Sequence, residues 1–242
     1  MAHGLPDWGL VGPKTTTYGL DDMGELAVRL GSPDLFDRRG DVVALTDFRD
    51  GLGALEWVGA GPGAKVKLVT SMGRQGAYCV SLQAGLNAGG WAAIYESFPI
   101  QRVCALGFEF SFSVQMNTAA IRNFVRWFDG ANQYTGLVGY DHVAQNLWYR
   151  DAEGAAIVFA PNVLLNESGE PEHTVKLVVD MLDQQYVRVM LDSSVYDLKG
   201  IGLWKVANSS SPHMTVWALH DGDGSVNVES YVDNVIVTRN EP

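Results

Sequence analysis

Apolar and polar side chains alternate with a period of two along residues 224–238. Val226, Val228, Ser230, Val232, Asn234, Ile236 and Thr238 fall on one side, and Asn227, Glu229, Tyr231, Asp233, Val235 and Val237 on the other. A bulge within this run would carry its apolar set across faces. A strand so late in the chain needs earlier strands to pair with, so much of the preceding sequence is expected to be sheet. Residues 103–114 repeat the pattern, with Phe108, Phe110, Phe112 and Val114 on one face and Glu109, Ser111 and Ser113 on the other. Large apolar groups at that period point into a thick core. In residues 64–71, Val66, Leu68 and Thr70 alternate with Lys65, Lys67 and Val69, as expected of a strand with one partly wet face. Residues 174–182 and 185–191 flank a tight reversal. Residues 121–129 fit a strand or a short helix, and the turn residues Asp129 to Asn132 favour the strand. A dozen or more short β segments with short reversals predict an all-β protein built from two packed antiparallel sheets.

The first 45 residues read differently. The opening 19 residues hold two prolines and four glycines with weak periodicity, which predicts an extended arm. Trp8 and Tyr18 would anchor it, because buried aromatic area offsets the cost of ordering a segment. Residues 21–31 predict a short helix, with Asp21 or Asp22 as cap, Met23, Leu26, Ala27 and Leu30 on one side, and Gly31 as stop. So short a helix needs a surface to pack on. The expected organisation is an arm over residues 1–45 and a sandwich over 46–242.

Composition narrows the function classes. Apolar residues make up 47% of the 242 and charged residues 19%, enough for a large core without staples. The formal net charge is −11 with no block of basic residues, which argues against nucleic acid as a direct partner. No basic segment followed by an apolar run opens the chain, and no stretch of about 18 apolar residues is present to cross a bilayer. Cytoplasmic synthesis without membrane insertion is therefore the expectation. The two cysteines, Cys79 and Cys104, lie in apolar runs and read as buried thiols.

From residue 41 to 241 the chain resembles the concanavalin A-like, laminin-G-like jelly-roll superfamily. The likeness is carried by residues 46–51 with Trp57, by 173–180 with 186–192, and by the closing 231–238. It implies a two-sheet antiparallel jelly-roll sandwich. Members include sugar-binding modules, glycosidases and noncatalytic assembly domains. Residues 23–31 followed by 36–43 also look like a segment of phage or prophage virion-associated proteins. That resemblance implies a noncatalytic structural or decoration component of a virion, assembled in a host cytoplasm as a homo-oligomer or with other virion proteins. Trp8, Tyr18, Met23, Leu26, Leu30 and Phe36 would then be assembly contacts. The alternative is a carbohydrate-binding module.

Candidate chemistry is sparse. Glycoside hydrolysis needs two carboxylates converging on a cleft, and Glu109 stands without the alternating acidic series found in glycosidases of this architecture. The histidines lack zinc spacing, no serine sits in a nucleophile elbow, and no phosphate loop occurs. Jelly rolls of this kind often clamp their ends with structural calcium, which the resemblance places at Asp47 and Asp233. Calcium needs six to eight oxygens, so main-chain carbonyls and water would complete the shell. For sugar, Trp91, Trp127, Tyr134 and Trp148 supply flat rings, while Asn132 and Asp141 supply hydrogen bonds.

Overall fold

The computed structural model describes residues 40–70, 72, 73, 78–87, 89–100 and 104–241. The proposed arm contacts Trp8, Tyr18, Met23, Leu26, Leu30 and Phe36, and the expected helix over 21–30, lie outside the described residues. Among those described there are sixteen strands and no helix.

The strands in chain order are β1 (Asp41–Thr46), β2 (Glu56–Ala60), β3 (Lys65–Val69), β4 (Cys79–Gln83), β5 (Trp91–Phe98) and β6 (Ala105–Phe112). Next come β7 (Thr118–Phe128), β8 (Asn132–Asp141), β9 (Asn146–Arg150), β10 (Ala156–Ala160) and β11 (His173–Asp180). The last are β12 (Gln185–Leu191), β13 (Ser194–Asp197), β14 (Trp204–Ala207), β15 (His213–Gly222) and β16 (Glu229–Arg239). They form two eight-stranded sheets. Sheet I runs β13-β12-β11-β6-β16-β4-β3, with β1 also on β16. Sheet II runs β10-β9-β8-β7-β15-β5-β2, with β14 also on β8. Every pairing is antiparallel.

The final strand shows why the closing alternation changes sides. Its register with β6 shifts between Asp233 and Ile236, and Asn234 takes a left-handed φ of 49°. Val232 faces the core before this bulge, whereas Val235 and Val237 face it afterwards. One extra residue reverses the parity. Sheet I begins at Asp41, which pairs with Arg239, so the sandwich takes in the last residues assigned to the arm.

Between the sheets, Phe108, Phe110 and Phe112 of β6 pack with Ile121, Val125 and Trp127 of β7 and with Leu177 and Val179 of β11. Tyr186, fully buried, ties the layers together. Its hydroxyl accepts the Leu137 N–H at 2.9 Å and lies 2.7 Å from the Arg150 carbonyl, to which it donates. Burial pushes the phenol well above its ordinary range. Cys79 and Cys104 are free thiols; burial pushes Cys79 up to about 12. On the outward side of sheet I, Glu241 closes a buried cluster with Lys176 at 2.8 Å and Arg188 at 2.5 Å. Glu109 joins it 3.8 Å from Lys176, on the opposite layer from any cleft described below.

Candidate functional site

Antiparallel register lets the outer face of sheet II be read as rows crossing its strands. The top row is Asn146, Asp141, Ala120, Asp221 and Trp91, on β9, β8, β7, β15 and β5. The next is Val158, Trp148, Gly139, Arg122, Leu219 and Ala93. The third is Arg150, Leu137, Phe124, Trp217, Tyr95 and Glu56. Alternation makes every member of a row face outward together. Outward apolar groups cluster here as a second core: Ala93, Phe124, Leu137 and Leu219 are buried beneath Val58, Trp91, Trp148 and Trp217.

The upper two rows border an open cleft of about 430 Å³, lined by Arg122, Asp141, Asn146, Trp148, Val158 and Asp221 among others. Glycine at 139 shapes its floor. A Cβ there would collide with Cε2, Cζ2 and Nε1 of Trp148, so the bare backbone lets the indole settle onto the sheet. The Arg122 guanidinium lies 5.8 Å from the centre of that ring and its Nε is 2.7 Å from Asp221 Oδ2. Burial raises the Asp221 carboxyl to about 6, against the opposing pull of Arg122. Asp141 ends β8, and its Oδ1 accepts the Ala144 N–H at 2.8 Å, which fixes the turn into β9.

Of the ring candidates, Trp148 and Trp91 lie on this outer face. Trp127 and Tyr134 do not. Each is 4% exposed, and they stack on one another at 5.2 Å inside the core; their alternation places them on the inward side. Asn132 is also elsewhere. It opens β8, nine residues from Asp141 and about 30 Å along the strand, where its N–H donates to Asp129 Oδ1 at 2.7 Å. Several N–H donors, led by Ala131 and Asn132, hold the Asp129 carboxyl down at about 2. Asp129 is thus the anchor of a turn.

The calcium candidates are likewise occupied. Asp47 pairs with Arg49 at 2.9 Å, and the Asn234 N–H donates to Asp233 Oδ1 at 2.8 Å. Among the described residues no group of three or more His, Cys, Asp or Glu side chains is disposed around an ion. Also among the described residues, no helix is long and apolar enough to cross a membrane.

Residues that pattern reading passed over complete the face: Arg122, Arg126, Arg150, Trp204, Trp217 and Asp221. Asp221 lies within β15, which continues through it to Gly222. Trp217 sits between Val216 and Ala218, so composition does not reveal its side.

No protein-family model and no curated protein matches the chain. Solved structures do. "Cellulose induced protein, Cip1" is similar at a TM-score of 0.55 and 14% identity, covering 81% of this chain and 96% of that one. A Bacillus subtilis protein of unknown function with a galectin-like fold gives 0.52 and 9%, covering 83% and 97%. Peanut lectin gives 0.48 and 12%, covering 81% and 98%. At these identities the likeness establishes the fold alone, a sandwich of two antiparallel sheets.

Proposed function

We propose that the outer face of sheet II binds carbohydrate. The observation carrying this reading is the cleft in which the Trp148 ring, settled on Gly139, stands beside Asp141, Asn146 and Asp221. A sugar presents an apolar ring face and a rim of hydroxyls. An indole fits the first; carboxylates that accept and an amide that both donates and accepts fit the second. The volume also falls within the range of small-ligand sites. Binding is favoured over bond cleavage because Asp221, ion-paired with Arg122, is mostly ionised at neutral pH and so carries no proton for a general acid to deliver.

The virion reading has weaker footing. The names of the similar structures given above lend it no support, and most of the segment that suggested it lies outside the described residues.

A glycan array followed by calorimetry on the full chain, with and without calcium, tests the proposal. Trp148→Ala is expected to weaken the best ligand at least tenfold. Absence of binding to any glycan, or equal affinity in the variant, overturns it.

A further inference from the structure

Three arginines lie on the outer face of sheet II, each against an aromatic ring. Arg122 lies over Trp148, Arg126 over Trp217 at 5.5 Å and Phe124 at 5.8 Å, and Arg150 over Trp204 at 4.9 Å. Their electrostatic circumstances differ. Arg122 has Asp221 as partner. Among the described residues, Arg126 and Arg150 pair with no carboxylate, and the Nε of each, like that of Arg122, has no well-aligned acceptor. The remaining acids of the face are engaged elsewhere: Glu56 accepts the Tyr95 hydroxyl at 2.7 Å, and Asp141 holds its turn.

A chain with net charge −11 has carboxylates in excess. Two half-buried guanidiniums without one are therefore unexpected, since withdrawing a charge from water is costly unless a counter-charge comes close. Burial lowers the Arg126 pKa, which is the same cost seen from the proton's side. Each guanidinium lies over a ring, and its planar fork of donors suits a carboxylate or sulfate.

The spacing fits a polymer. Arg126 stands four residues along β7 from Arg122, about 13 Å from the Trp148 cleft, and Arg150 stands two strands from β7, about 10 Å away. A single sugar ring cannot span these positions, whereas successive residues of one chain can. We propose that Arg126 and Arg150 form an anion subsite that selects an acidic polysaccharide, binding its carboxylate or sulfate groups while another of its rings occupies the Trp148 cleft. This inference rests on the carbohydrate reading.

The test uses the full-length protein and four probes: polygalacturonate, its fully methyl-esterified form, poly-glutamate and single-stranded DNA. Affinity is measured by calorimetry at low and high salt, with circular dichroism as a fold check. The expected result is at least tenfold tighter binding of polygalacturonate than of its ester, with the preference lost at high salt and in Arg126→Gln/Arg150→Gln. Arg126→Lys/Arg150→Lys, which keeps the charge but not the fork, should retain part of it. Equal affinity for polygalacturonate and its ester in the wild type overturns the anion subsite and leaves carbohydrate binding standing. So does a preference that survives the double glutamine variant. Equally tight binding of poly-glutamate or DNA overturns it in favour of a general polyanion surface. Binding of no carbohydrate, on this panel or the array, removes the underlying reading as well.

Discussion

The indole of Trp148 fills the space above Gly139, its register partner on the neighbouring strand. The fit depends on a missing side chain, so the glycine is as much a part of the cleft as the tryptophan. Gly139→Ala should push the ring off the sheet, cost about 1–3 kcal/mol through overpacking, and weaken glycan binding. Chemical denaturation and tryptophan fluorescence check this; an unshifted midpoint and spectrum would mean the ring has another resting place.

On the proposed carbohydrate reading, Asp221 is expected to make binding sensitive to mild acid. Its carboxyl is raised to about 6, Arg122 faces it from β7, and Asp141 shares the cleft two strands away. His220, behind it on the inner side, is lowered by burial to about 4 and so stays neutral across this window. Above about pH 6 the ionised carboxylate would accept sugar hydroxyls; protonation on acidification would weaken that acceptor and its pairing with Arg122. Affinity is expected to fall between pH 7 and 5, and Asp221→Asn to flatten the profile. Calorimetry across that range decides it.

The long loop between β10 and β11 is pinned by His173. His173 Nδ1 lies 2.8 Å from Asp192 Oδ2, and Nε2 lies 3.1 Å from the Asn166 carbonyl. Burial alone would lower its pKa, but the bonds to Asp192 and Asn166 prevail and raise it above 6.5. Because the folded value exceeds the unfolded one, this contribution is complete below about 6.5 and is lost as pH rises through the folded value. Wild type should therefore lose stability from pH 6 toward pH 9 relative to His173→Gln, measured by urea unfolding. Parallel profiles would sink the assignment.

Tyr186 supports the site from beneath, joining the backbones of Leu137 and Arg150 through one hydroxyl. Tyr186→Phe leaves a buried donor and a carbonyl without that partner, at a cost of about 1–3 kcal/mol. Denaturant unfolding gives the stability change. Because Arg150 sits on the strand so released, polygalacturonate affinity should drop as well.

Pattern reading works where one face is buried and the other wet. In β6 the phenylalanines alternate with Glu109 and serines, so their inward direction follows from the period alone. In β7 and β15 both faces carry apolar residues, and the period no longer tells them apart. Trp127 and Trp217 look alike in sequence, yet one is sealed in the core and the other lies on the outer face. Trp148 and Asp141 were legible as candidates by residue type; Asp221, Arg126 and Arg150 carried no local signal.

Alternation and turn chemistry, both properties of neighbouring residues, were enough to determine an all-β chain of short antiparallel strands in two layers. Strand order, the parity switch at Asn234, and the meeting of Trp148 on β9 with Arg122 on β7 and Asp221 on β15 were decided by the folded molecule. These depend on pairing between segments far apart in the chain, whose register is set by the packing of the whole core.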